Sequence, residues 1–195
     1  MNRNGFIPKK SNEIQVILSE DAIKNLTKIK TVPRIKPLHE DIPYNLHWGF
    51  LDYGGKRVLD IGADCGSTAD FFLQLGATEV IAVEGDEKLY EELLKNSKII
   101  SGIIPVKMFI DSSQAIVNLL ETYKPDIVKV DIEYYEILLN SVPDDKLTLA
   151  KDYVIECHVN GVCEILEDKF SKKFDVTTCV FHPARVFYAR RRETT

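Results

Sequence analysis

The sequence predicts an α/β protein built on a doubly wound, mostly parallel sheet. Three observations carry this. Apolar strand-like runs and amphipathic helix-like runs alternate five times between residues 57 and 172. The strand runs are short and almost wholly apolar, as strands covered on both faces are. Two strand runs then come in direct succession, which adds an antiparallel hairpin strand at or just inside one edge of the sheet.

Each element has its own reason. Arg57 to Ile61 is the first strand and runs into the loop Gly62-Ala63-Asp64-Cys65-Gly66. A helix over Ser67 to Leu75 is stopped by Gly76, a residue suited to a left-handed C-terminal cap. Val80 to Val83 is the second strand, ending at Glu84, and Glu87 to Asn96 the next helix. Ile103 to Ile110 is the third strand, closed by Asp111. Ser112 to Tyr123 is helical because Ile116, Leu119 and Leu120 recur on one face. Asp126 to Asp131 is the fourth strand, Glu136 to Ser141 a short helix, Asp152 to His158 the fifth strand and Val162 to Lys172 the fifth helix. Phe174 to Phe181 and Val186 to Arg190 alternate as strands around His182-Pro183-Ala184.

Residues 1–36 read as a basic appendage and residues 37–195 as the folded domain. Ile14 to Leu18 is strand-like, and Ser19 is placed to cap a helix over Glu20 to Ile29. Pro33, Pro37 and Pro43 break up regular structure between that helix and Tyr44. The aromatic stretch containing Tyr44, His47, Trp48, Phe50 and Tyr53 precedes the first strand and is expected to cover the site. The net charge of −5 conceals an asymmetry: residues 1–36 carry +5 and residues 182–195 carry +3, which leaves −13 between them. Basic ends on an acidic body are either a rim for a polyanion or a solvated helix face and a frayed tail. No apolar run approaches the roughly 18 residues of a membrane span. The N-terminus lacks the apolar core of a signal peptide. A cytoplasmic protein without a membrane partner is expected. The four cysteines (Cys65, Cys157, Cys163, Cys179) form no CxxC pair, so they read as buried thiols and not as zinc ligands or a disulfide framework.

Ligands of open parallel sheets gather beyond the carboxyl ends of the strands. The candidates there are Asp60, Gly62, Asp64 and Gly66 after the first strand, Glu84 with Gly85 after the second, and Asp111-Ser112 after the third. The dinucleotide fingerprint requires a different glycine spacing, and the acids of this loop repel a pyrophosphate. A nucleoside cofactor with a cationic centre, S-adenosylmethionine, suits them better. Glu84 lies 18 residues beyond Gly66, placed to accept hydrogen bonds from both ribose hydroxyls. Asp111 and Ser112 are placed for the adenine edge.

These segments resemble a known family. Val58–Gly66 (VLDIGADCG), Val80–Asp86 (VIAVEGD) and the terminal hairpin resemble a class I S-adenosylmethionine-dependent methyltransferase. Val128–Leu139 (VKVDIEYYEILL) is similar to the strand-four segment of the FkbM family, which reads Asp-x-Glu-Gly-x-Glu. The resemblance spans about Lys56 to Arg190 and leaves residues 1–36 outside. It implies a seven-stranded Rossmann-like sheet and O-methylation of a hydroxyl, with a small molecule or glycan as the acceptor. Tyr134 stands where the family has Gly, and Gly85 where it has Pro after the acid.

Methyl transfer is an in-line displacement in which the protein supplies alignment, and a hydroxyl acceptor gains from a general base or a metal. Asp131, Glu133, Glu156 and His158 lie at the ends of the fourth and fifth strands. Asp131 is expected to position cofactor or acceptor. His158 or Glu133 is expected to take the acceptor's proton, a neutral His being a suitable base near pH 7. Glu133 and Glu136 read equally well as a solvated helix start. No metal site is predicted, because the carboxylates lack the tight clustering along the chain of a cation loop. Three other readings remain: an RNA methyltransferase using the basic termini, a nicotinamide oxidoreductase, and a binding module without turnover.

Overall fold

Val58, Leu59, Asp60 and Ile61 are all buried, as a strand between two helical layers must be. They belong to β1 (Arg57–Ile61) of a computed structural model that describes residues 34–35, 44–181 and 184–193. Around β1 are arranged α1 (Tyr44–Trp48), α2 (Ser67–Gln74), β2 (Glu79–Glu84), α3 (Glu87–Ile99), β3 (Ile103–Lys107), α4 (Ser113–Tyr123) and β4 (Ile127–Val130). A 3₁₀ helix (Tyr135–Ser141), α5 (Asp144–Leu147), β5 (Asp152–Cys157), α6 (Asn160–Ser171), β6 (Phe174–Phe181) and β7 (Ala184–Arg191) complete the chain. The strand and helix expected at 14–18 and 20–29 lie outside the described residues.

The seven strands are ordered β3-β2-β1-β4-β5-β7-β6. β1 is parallel to both β2 and β4, β4 is parallel to β5, and β7 runs antiparallel between β5 and β6. The expected doubly wound sheet and its inserted hairpin strand are therefore both present. Side chains alternate across it. Val58, Val80 and Ala82 join Phe71, Phe72, Trp48 and Leu93 on one face. Leu59, Ile61, Ile81 and Val83 join Ile116, Leu120 and Phe170 on the other. Each large apolar side chain buried in this way contributes about 1.5–3 kcal/mol. The order reverses between β1 and β4, the switch point at which open sheets of this kind place their ligand crevice.

Several boundaries differ from expectation, most of them by one or two residues, and those of β3 and α3 by three. β3 ends at Lys107 and not Ile110, because its ladder partner β2 ends at Glu84, which pairs with Lys107. Residues 108–111 then leave the sheet. α3 continues to Ile99, beyond the expected Asn96. The short helices α1 and α5 have no counterpart in the sequence pattern, one hidden in an aromatic stretch and the other only four residues long. The division at residue 36 also passes through a packed contact: the backbone N–H and guanidinium of Arg34 donate to the buried carboxylate of Asp70, and Ile35 packs against the core. Cys65, Cys157 and Cys163 are free, buried thiols. No helix among the described residues is long and apolar enough to cross a membrane.

Candidate functional site

A cavity of about 900 Å³ opens at the carboxyl ends of β1, β2, β4 and β5. Its floor is where two strand ends nearly touch. The backbone N–H of Gly62 donates to Val83 O, and that of Asp131 donates to Ile61 O. Gly62 has φ +81°, and a Cβ there would lie 1.7 Å from the Asp131 carbonyl oxygen. Only a residue without a side chain lets the first loop approach β4 so closely.

Glu84 forms the second wall. One of its oxygens accepts from the Asp64 N–H at 2.9 Å and the other from the Asp86 N–H at 2.7 Å. A carboxylate offers about four lone-pair sites, so acceptor capacity remains toward the cavity. Gly85 beside it gives room to Phe109, whose ring would lie 2.8 Å from a Cβ at that position. Asp64 adds a carboxylate whose Oδ1 is buried without a hydrogen-bond partner among the described residues. Such an atom is satisfied by a donor from outside the described residues, such as water or a ligand.

Of the residues singled out from the sequence, Gly62, Asp64, Glu84, Gly85, Asp131, Glu133 and His158 line this cavity together. Four others do not. Asp60 is fully buried beneath it, ion-paired to Lys129 at 3.1 Å and accepting from the Thr68 hydroxyl. Gly66 packs against Leu93 and Ile35. Ser112 is the N-cap of α4, accepting from the Ala115 N–H at 3.3 Å, and Asp111 is exposed next to it. The early end of β3 is the cause. The chain that crosses the cavity there is Met108, Phe109 and Ile110, so an apolar edge replaces the polar one expected from Asp111 and Ser112.

The sequence pattern did not single out Lys129. It is almost wholly buried, lies 3.1 Å from Asp60 and 3.6 Å from Asp131, and donates to Gly62 O. Its ammonium also sits 5.1 Å from the centroid of the Trp48 ring. Burial alone would lower its pKa, but Asp60 and Asp131 outweigh that and keep it charged. A lysine inside the apolar run IVKV was the available signal. The aromatic stretch does reach the site: Tyr44, His47 and Trp48 of α1 line the cavity, with the Tyr44 hydroxyl donating to Ser67 Oγ at 2.6 Å. Phe50 instead stacks on Tyr188 in the core.

The far wall is acidic. His158 Nδ1 meets Glu136 Oε1 at 2.9 Å, while Nε2 faces Glu133 Oε2 at 3.4 Å, Asp131 Oδ1 at 3.7 Å and Glu156 Oε1 at 4.0 Å. Burial lowers the pKa of His158, but the surrounding carboxylates, Glu136 foremost, prevail and push it up to about 9. The surrounding carboxylates thus favour the imidazolium over the neutral form expected of a base. Burial raises the Asp131 carboxyl to about 6 despite the nearby Lys129. Glu133 and Tyr134 both have positive φ, +48° and +80°. Tyr134 takes the left-handed conformation that Gly adopts readily, and its ring lies 5.4 Å from His158. With Phe109 and Tyr135, which meet edge to face at 5.4 Å, it forms an exposed aromatic rim. Asp131, Glu156 and His158 offer ligand atoms all within 4.8 Å of one another, a cluster that their separation in sequence conceals.

No family model matches the chain. A stretch of 55 residues is 44% identical to Uncharacterized protein 65 of Sulfolobus islandicus filamentous virus (isolate Iceland/Hveragerdi), covering 27% of this chain and 35% of that protein. The match thus spans about a third of the viral protein. Solved structures show more of the fold. The C-terminal domain of precorrin-6Y C5,15-methyltransferase from Rhodobacter capsulatus superposes with a TM-score of 0.60 at 14% identity, over 83% of this chain and 98% of that one. Aeropyrum pernix fibrillarin, solved with natively bound S-adenosyl-L-methionine, gives 0.53 at 15% identity over 71% and 68%. The 16S rRNA N2 G1207 methyltransferase of T. thermophilus, in complex with AdoMet and guanosine, gives 0.52 at 19% identity over 71% and 38%. At these identities the likeness establishes the shared Rossmann-like fold.

Proposed function

We propose that this chain is an S-adenosylmethionine-dependent methyltransferase whose acceptor is a hydroxyl of a small molecule or glycan, an FkbM-like reaction. The observation that carries the reading is the placement of Glu84 beside the unpartnered Asp64 Oδ1, side by side at the ends of β2 and β1 on the wall of the cavity. A ribose diol fits the first and an ammonium group the second. Bound there, S-adenosylmethionine supplies a methyl group activated by its sulfonium. The chain's own residues do the rest. Gly62 and Gly85 let the backbone close on the ligand, Phe109 and Ile110 offer apolar contact to the base, and Tyr44 and Trp48 help shield the crevice from water. Lys129 fixes the Gly62 loop and Asp131 in one arrangement, which is the alignment an in-line displacement requires.

The choice of acceptor rests on charge. Asp131, Glu133, Glu136 and Glu156 face or flank the far wall. Carboxylates accept hydrogen bonds from hydroxyl groups and repel phosphodiesters. One observation favours a second reading: the exposed rings of Phe109, Tyr134 and Tyr135 are the kind of platform on which a nucleobase stacks, so a short single-stranded RNA is the alternative acceptor.

Mass spectrometry of ligand retained by the purified protein and calorimetry with S-adenosylmethionine test the cofactor. Glu84→Ala is expected to weaken binding by about 1–3 kcal/mol, since it strands two ribose hydroxyls and two backbone N–H groups. Retained nicotinamide, or unchanged affinity in the variant, overturns the assignment. A salt-dependent gel shift with RNA would move the acceptor to the second reading.

A further inference from the structure

Three carboxylate oxygens converge on one ring nitrogen without hydrogen-bonding it. The distances from His158 Nε2 to Glu133, Asp131 and Glu156 are 3.4, 3.7 and 4.0 Å, all beyond the roughly 2.7–3.2 Å range of an N–H···O bond. Two of these acids, half-buried Asp131 and buried Glu156, divide their oxygens. Asp131 gives Oδ2 to Lys129 at 3.6 Å and turns Oδ1 toward the ring. Glu156, only 8% exposed, gives Oε2 to His47 at 3.4 Å and turns Oε1 toward the ring. The other ring nitrogen is held by Glu136, which is itself buried and accepts from the Ile132 N–H at 3.2 Å. A buried carboxylate on one imidazole nitrogen, with the second nitrogen left facing oxygens, is how metal-binding histidines are oriented.

We propose that Asp131 Oδ1, Glu156 Oε1 and His158 Nε2 bind a divalent first-row cation such as Mn²⁺, with Glu133 within reach as a fourth ligand. The proposal deepens the reading of this cavity as the methyl-transfer site, naming what holds the acceptor oxygen there. Ligand bonds of about 2.0–2.2 Å place neighbouring donor atoms about 3–3.5 Å apart. The three ligand atoms lie within 4.8 Å of one another, so the widest spacing has to contract by at most about 2 Å to reach that range, which side-chain rotation supplies. The donor set of one imidazole and two or three carboxylates suits manganese, iron or zinc better than calcium. Charge agrees: Asp131, Glu133, Glu136 and Glu156 face Lys129 and His158, and Lys129 is already matched by Asp60. The ion takes the place of the Nε2 proton. Its open positions face the cavity, where a hydroxyl or a vicinal diol of the acceptor completes the coordination.

The test is a titration of the full chain with Mn²⁺. Free ion is followed by electron paramagnetic resonance, and the fluorescence of Trp48, the single tryptophan, by quenching. Trp48 stacks on His47 at 4.5 Å between ring centroids, which places it beside Glu156. One ion per chain, binding in step with saturable quenching, is expected. Glu156→Gln and His158→Gln should each weaken it at least about tenfold. Glu136→Gln should weaken it about 10–100-fold through loss of ring orientation, and Glu121→Gln, on the outer surface, should leave it unchanged. The wild-type titration stands on its own if a variant fails to fold. No binding at millimolar Mn²⁺, or binding indifferent to both ligand variants, overturns the proposal. Calorimetry with S-adenosylmethionine on the same samples separates the two readings: cofactor binding without Mn²⁺ binding refutes the metal site alone, and Mn²⁺ binding without cofactor refutes the methyltransferase reading alone.

Discussion

Replacing Lys129 with Met should be among the costliest single substitutions in the molecule, and the structure says why. Lys129 and Asp60 are 1% and 0% exposed, and their charges are 3.1 Å apart. The contact is Coulombic more than a directed hydrogen bond, since Asp60 Oδ1 has no well-angled donor while Oδ2 accepts from Thr68. Lys129→Met leaves Asp60 ionised and alone in the core, and removing one partner of a buried pair costs about 3–5 kcal/mol. Total stability is about 5–15 kcal/mol for such a domain. With a urea slope near about 2 kcal/mol per M, the unfolding midpoint should fall by about 1.5–2.5 M. Asp60→Asn in the same chain removes the orphaned charge and should restore most of the loss. The deficit should also depend on pH. Burial already raises the Asp60 pKa, and without Lys129 only the Thr68 hydroxyl still opposes that rise. The folded variant then holds the proton more tightly than the unfolded chain. Its deficit is therefore small below the unfolded carboxyl pKa and grows as pH climbs above it. Urea titrations of the two single variants and the double variant at about pH 5 and pH 8 measure all of this. A Lys129→Met loss below about 1 kcal/mol, or a double variant no more stable than the single, refutes the reasoning.

Three further outcomes are expected. Ser112→Ala should cost about 1 kcal/mol by uncapping α4 while leaving S-adenosylmethionine affinity unchanged in calorimetry, because the hydroxyl faces the helix and not the cavity. Tyr134→Gly should raise the urea midpoint, relief of about 1–3 kcal/mol of left-handed backbone strain exceeding the entropy cost of Gly; a lower midpoint would show that the Tyr134 ring matters more than its φ. Arg34→Ala should lower the midpoint by stripping buried Asp70 of its guanidinium partner, and a truncation that removes residues 1–36 should do the same.

Strand positions and sheet class were legible because they rest on local pattern. Runs such as VIAV are apolar throughout only when both faces are covered, and the succession of the last two strands identified the hairpin. The site was legible where it depends on strand ends: Gly62, Asp64, Glu84, Asp131 and His158 reach one cavity because β1, β2, β4 and β5 are neighbours. It was illegible where it depends on pairing length. Asp111 and Ser112 were misplaced because the end of β3 is set by the end of β2, which no property of residues 103–111 reveals. The charge state of His158 was illegible for a related reason. Glu136 reaches the ring from the 3₁₀ helix, 22 residues away in sequence, and that contact favours the protonated ring.

Lys129 shows how a rule-breaking residue organises the rest. A lysine in the middle of a buried four-residue strand opposes the apolar pattern that predicts the strand, and its desolvation has to be offset. The offset comes from Asp60 of β1, Gly62 O of the first loop, Asp131 beyond β4 and the face of Trp48 in α1. One ammonium thereby links the loop after β1, the acidic wall and the aromatic cover. The proposed methyl transfer would ask the protein chiefly to hold two reactants in line, and an error of about 1 Å in that placement costs on the order of 10²-fold in rate. A rigid cation shared by all three walls meets that demand better than three separately packed apolar contacts. The departure from the apolar pattern in β4 and the location of the cavity are thus two aspects of the same arrangement.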